Sequence, residues 1–144
     1  MAVSPNPAVE AQLRRAGEGL VCAATATTPS ERFVAAHLSA LRAASAVLAA
    51  RARPLDNGRR RQPPRSVWSL LPTVCPELVE WAAFFAAGAG RRAAAEAGVP
   101  GVVTARDADD LLRDAGIFLA LVDTTLGLPH QGSLPTVQVA LRAG

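Results

Sequence analysis

"TPSERFVAAHLSALRAASAVLAARARP", residues 28–54, decides the fold. Its first residues are a helix start: Thr28 serves as N-cap, Pro29 fits the first helical position and Glu31 stands at N3, a capping box with a favourable proline. A stripe of Phe33, Val34, His37, Leu38, Leu41, Ala44, Ser45 and Leu48 then recurs by threes and fours, the period of one helix face. Arg42, Arg51 and Arg53 fall on or near the other side. Pro54 disfavours helix in the residue before it, so the spacing predicts one amphipathic helix from Pro29 to Arg53. Small residues stand on several of its sides (Ala35, Ala36, Ala40, Ala43, Ala46), which permits close approach of another helix and leads us to expect a homodimer.

The same grammar extends outward. A weaker helix over Ala8–Ala24 carries Val9, Leu13, Leu20 and Val21, with Gly17 and Gly19 loosening it. "RPLDNGRRRQPPR", residues 53–65, is a loop: Asn57-Gly58 marks a turn and Pro63-Pro64 forces extended backbone. Ser66–Leu71 predicts one short helical turn packing Trp68. A third long helix starts near Pro76 with Leu78, Val79, Trp81, Ala82, Phe84 and Phe85; the glycines of "AAGAGRR" loosen it and "EAGVPG" ends it. "TARDADDLLRDAGIFLALVDTTLG", residues 104–127, is the fourth. Thr104 caps it with Asp107 at N3, and Asp107, Asp109 and Asp110 crowd the first turns, where the helix dipole favours negative charge. Leu111, Ala115, Phe118, Leu119, Val122 and Leu126 form its apolar face, and Gly127 closes it. No repeat at a solenoid period is present. The expected fold class is all-α, an antiparallel up-and-down four-helix bundle over residues 8–128, between a disordered N-terminus (1–7) and a flexible tail (129–144). Trp68, Trp81, Phe84, Phe85 and Phe118 are expected as its largest core side chains.

Composition agrees. With 144 residues the chain holds one domain with a real core. Half of it is apolar but only 4% aromatic, so Ala, Leu and Val supply most of the core, and Ala is the best helix former. All 15 basic residues are arginine, which fits a GC-rich coding sequence and a high-GC actinobacterial source, and the net charge is a modest +3. Cys22 and Cys75 form no C-x-x-C pair, which excludes a disulfide framework or a zinc site of the usual spacing. The N-terminus lacks a signal-peptide core, and "LVEWAAFFAAGAG" and "GIFLALV" are too short or too interrupted to span a bilayer. A cytoplasmic protein with no membrane partner is expected. No P-loop, no G-x-G-x-x-G after a strand and no G-x-S-x-G occurs, so no cofactor is expected.

"ERFVAAHLSALRAASAVLAARARP", "SVWSLLPTVCPELVEWAAFFAAGAGRRAAAEAG" and "ARDADDLLRDAGIFLALVDTTLG" together resemble a small actinobacterial family of the HEPN (higher eukaryote and prokaryote nucleotide-binding) superfamily, over roughly residues 12–128. The resemblance implies an up-and-down helical bundle, often dimeric. It also implies one of two activities: RNA cleavage through an R-x4-6-H motif contributed by two protomers, or binding and partner recognition in members that lack it.

Arg32 and His37 satisfy R-x-x-x-x-H literally. An imidazole suits general acid–base work and a guanidinium steadies a phosphate; RNA brings its own 2′-OH nucleophile, so such cleavage is metal-independent. Three observations oppose the catalytic reading. Five residues of regular helix turn through about 500°, leaving the two side chains about 140° apart. The pair stands in the second helix, whereas the family pattern puts it late in the bundle, where this chain has Arg106 and Arg113 but no histidine. His37 also lies on the apolar stripe. We therefore expect a non-catalytic module that recognises a nucleotide, an RNA or a protein partner. A metal-independent endoribonuclease using Arg32 and His37 is the alternative. A third reading is a DNA-associated factor working through Arg59, Arg60, Arg61 and Arg65, whose guanidinium groups match phosphate oxygens, although no aromatic is interleaved to stack bases. His130 reads as tail filler, and Arg91-Arg92 as a possible extension of the arginine patch. The i, i+4 pair Asp110 and Asp114 has no EF-hand or di-iron spacing around it, so it is read as helix solvation beside Arg106 and Arg113 and no metal is expected.

Overall fold

The computed structural model describes residues 7–51 and 66–128. The arginine cluster Arg59, Arg60, Arg61 and Arg65, the tail with His130, and the expected N-terminal disorder lie outside the described residues, apart from Pro7. The described chain is all-α: α1 (Pro7–Thr25), α2 (Pro29–Arg51), α3 (Val67–Val74), a single 3-10 turn (Pro76–Leu78), α4 (Val79–Glu96) and α5 (Ala105–Thr125). The expected short turn around Trp68 is a full helix, α3. Ser66 caps it through the Ser69 amide, and Pro72 lies inside its last turn.

The end signals work as local chemistry dictates. At α5 the box closes in both directions: Thr104 Oγ1 accepts from the Asp107 amide and Asp107 accepts from the Thr104 amide, each at 3.0 Å. At α2 only half of the box forms. Thr28 Oγ1 accepts from the Glu31 amide at 3.1 Å, while the Glu31 carboxylate takes the Thr27 hydroxyl instead. Both α4 and α5 end in Schellman motifs built on left-handed glycines. Gly98 (φ 83°) lets Val99 N reach Ala94 O, and Gly127 (φ 72°) lets Leu128 N reach Asp123 O. The "AAGAGRR" glycines do not interrupt α4, which runs unbroken to Glu96; its buried face outweighs the ~1 kcal/mol a helical glycine costs.

α2 is the central helix. α1, α3, α4 and α5 all pack on it, whereas the α4 and α5 backbones stay apart and meet through long side chains such as Trp81, Phe85 and Phe118. This position shifts the core away from the expected stripe. Ala36, Ser39, Ala40, Ala43, Ala46 and Val47 are buried with Phe33, His37 and Ala44, while Leu38, Leu41, Ser45 and Leu48 are only half-buried. The small residues expected to serve a second copy are therefore spent inside the chain: Ala36, Ala40, Ala43 and Ala46 are fully buried by its own helices. α2 is long and apolar enough to cross a bilayer by length and composition, and half of that stretch is buried inside the bundle.

The core beside α2 is an aromatic stack. Phe85 lies 5.1 Å from Trp68 and 5.1 Å from Phe118, ring centre to ring centre, and Trp81 stacks on its other side at 5.9 Å. Phe84, expected in this core, is 45% exposed. Adjacent helical residues point about 100° apart, so only one of the two phenylalanines enters the stack.

α1 packs against α2 at Gly19, beside Ser39 and Ala35. A methyl there would collide with the Ser39 hydroxyl, which is itself buried without a hydrogen-bond partner. Gly19→Ala is expected to cost about 1–3 kcal/mol by overpacking. Ser39→Ala is expected to be near neutral, because it removes an unsatisfied group. In the double variant most of the Gly19→Ala loss should return, which a double-mutant cycle of denaturant midpoints measures. Additive losses would contradict this contact.

Candidate functional site

Arg32 and His37 leave α2 in different directions. The Arg32 guanidinium spans the end of α1: Nε donates to Ala23 O at 2.9 Å and one terminal nitrogen donates to Ala26 O at 3.0 Å. The other terminal nitrogen pairs with the Asp109 carboxylate of α5 at 2.8 Å. Ala23 O lies in the last turn of α1, where it also accepts from the Ala26 amide at 3.3 Å, and Ala26 O lies just beyond the helix; a cation there also meets the negative end of the dipole. Arg51 repeats the device at the far end of α2, donating to Val74 O of α3 and Thr125 O of α5.

His37 points into the core. It is 1% exposed, its ring edge-on to Trp68 and Phe85 at 6.0 and 5.9 Å. Nε2 lies 2.8 Å from Phe85 O. A carbonyl only accepts, so Nε2 carries the proton and Nδ1 is bare, buried and without a hydrogen-bond partner. Burial pushes the imidazole below its ordinary pKa of 6.5; the Phe85 carbonyl opposes this, Arg92 lowers it further and Glu96 raises it. The folded protein thus holds neutral His37, whereas the unfolded chain takes up a proton near 6.5. This group's contribution is complete above pH 6.5 and is lost as pH falls below it. The stability of the wild type is expected to fall between pH 7.5 and 5 more steeply than that of His37→Leu. Parallel curves in pH-dependent urea denaturation would refute this.

Because α4 and α5 splay apart over α2, they leave a groove of about 340 Å³. Phe33 and His37 contribute to its floor, Phe84, Gly88 and Arg91 to the α4 wall, and Asp107, Asp110 and Asp114 to the α5 wall. Arg91 closes one end, its guanidinium 5.6 Å over the Phe33 ring and 3.4 Å from Asp107. Arg113 lies between Asp110 and Asp114, at 3.3 and 3.8 Å, and Arg106 is 3.8 Å from Asp110. The Thr104 amide and hydroxyl hold Asp107 below the usual carboxylate range, with Arg91 adding to the effect. The rim is thus a balanced set of opposite charges around an apolar floor. That arrangement suits docking: the carboxylates of the rim are met by arginines, they oppose a phosphate, and the one imidazole in the floor, His37, is 1% exposed.

Of the expected site residues, the structure brings Arg32 and His37 to no common cleft. Arg91 and Arg92 likewise form no cationic patch, since Arg91 bonds Asp107 and Arg92 bonds Glu96 at 2.8 Å. The groove itself was missed by sequence reasoning. Its one signal was the run of small residues after Phe85, which leaves the α4 wall open.

Comparison with known families matches the description SAV_6107-like HEPN over residues 23–123. Comparisons with curated proteins and with solved structures gave no match.

Proposed function

Since the chain belongs to the SAV_6107-like HEPN family, we propose that it is a non-catalytic member of that fold, a homodimeric binding and assembly module that recognises a nucleotide, an RNA or a protein partner in the cytoplasm. The observation that carries this reading is how the only R-x4-6-H pair among the described residues is used. Arg32 spends its guanidinium on Ala23 O, Ala26 O and Asp109, and His37 is a buried neutral ring whose one N–H is given to Phe85 O. A general acid–base must reach the proton it transfers, and this imidazole, although it underlies the groove floor, is 1% exposed with its N–H committed to Phe85 O. What remains for the fold to offer is surface: a groove with an apolar floor, and helix faces that can meet a partner. The cytoplasmic assignment draws support from two free cysteines, Cys22 and Cys75, which suit a reducing compartment.

The test is RNA cleavage by the purified full chain with EDTA present, alongside His37→Leu and Arg32→Lys. No cleavage above the protein-free control is expected from any of the three. Cleavage by the wild type, abolished in a folded His37→Leu protein, would overturn the reading and restore the endoribonuclease.

A further inference from the structure

Residues 81–90, WAAFFAAGAG, run for nearly three turns of α4 without a charged side chain. A helix that is apolar all round is ordinarily covered all round. Here only one side is covered. Ala82 and Phe85 are buried, whereas Ala83, Phe84, Ala86, Ala87 and Gly90 are exposed among the described residues. Ile117, 50% exposed and one turn beyond Asp114 on α5, adds to the apolar surface across the groove.

The ends of this face say what covers it. Glu80, Phe84, Ala87 and Arg91 stand at i, i+4, i+7 and i+11, one exposed stripe of α4. The stripe is acidic at its start and basic at its end, where Arg91 bonds Asp107 of its own chain at 3.4 Å and keeps 47% of its side chain exposed. A second α4 laid antiparallel, with Glu80 against the partner's Arg91, also sets Phe84 against the partner's Ala87, because both pairs share one midpoint between Phe85 and Ala86. The twofold axis then repeats each contact. Opposite charges meet at both ends and a large side chain meets a small one in the middle, the self-complementarity that an isologous interface requires. A parallel pairing would set like charges together.

We propose that two copies of this chain associate through α4, antiparallel across a twofold axis, and cover the mouth of the α4–α5 groove. This rests on the homodimeric reading above and moves the interface from the alanines of α2, which are buried within the chain, to the exposed face of α4.

Sedimentation equilibrium of the full chain tests it, with Ala87→Glu and Phe84→Glu as variants and circular dichroism to verify that each is folded. Position 87 is exposed, so a glutamate there leaves the isolated bundle intact. The wild type is expected to be a dimer at micromolar concentration, and Ala87→Glu is expected to weaken association at least ~100-fold. Glu80→Arg and Arg91→Glu should each be monomeric alone and dimeric when mixed. A wild type that stays monomeric overturns the homodimeric reading and this one with it. A dimer indifferent to Ala87→Glu, Phe84→Glu and the charge changes overturns the α4 assignment while leaving the homodimer standing.

Discussion

Phe85→Ala is expected to cost about 3–5 kcal/mol, the range for deleting a fully buried aromatic ring. The ring is fully buried and touches most of the core: Trp68, Trp81 and Phe118 lie within 6 Å of its centre. It joins α4 to α3 and α5, while its backbone carbonyl receives His37 from α2. Few relaxations could refill such a site, because stiff rings and helix backbones bound it. A domain of this size has only about 5–15 kcal/mol in total, so the variant should be marginal at 37 °C. Phe85→Leu should lose roughly 1–2 kcal/mol, since it keeps most of the volume. Guanidinium unfolding followed by tryptophan fluorescence measures both, because both indoles contact this ring. A loss under about 1 kcal/mol for the alanine variant would contradict the packing described.

Arg32→Ala is expected to cost about 2–3 kcal/mol. Most of this comes from the two carbonyls at the C-terminal end of α1, Ala23 O in its last turn and Ala26 O just beyond, since hydrogen bonds from a charged donor contribute about 1.5–3 kcal/mol and the side chain is only 25% exposed. Asp109 contributes little, because its side chain is 61% exposed and water screens the pair. Asp109→Ala should therefore cost less than about 1 kcal/mol. Arg32→Lys keeps the charge but loses the planar fork that reaches Ala23 O and Ala26 O together, so it should recover less than half of the loss. If lysine restored the full stability, the bonds to α1 would not be what holds Arg32.

These two residues mark how far the chain could be read from sequence. α5 was legible in full: its cap, its acidic first turn, its apolar face and its closing glycine are all local features, and the structure reproduces them. α2 was legible as a helix but not in phase. Hydrophobic periodicity assumes one wet face, and α2 has neighbours around most of its girth, so alanines bury where a lone amphipathic helix would show them to solvent. The pair Phe84-Phe85 carries no local signal of which ring goes in. Arg32 meets Asp109 across 77 positions, and the groove exists because α4 and α5, consecutive in sequence, hold their backbones apart over α2. Neither a capping rule nor a period contains that information. The HEPN resemblance read from the helical stretches does agree with the family shown for residues 23–123.

His37 remains the residue on which the account turns, because an R-x4-6-H pair is either a reaction centre or two structural side chains that happen to share a spacing. Nitrogen-resolved NMR of its imidazole, followed through a pH titration of the folded wild type, separates the two most directly. The geometry predicts a protonated Nε2 and a bare Nδ1, with the folded protein's ring taking up its proton only below the ordinary 6.5. An imidazole that titrates near 6.5 in the intact fold, with both nitrogens open to solvent exchange, would contradict it and return His37 to acid–base chemistry.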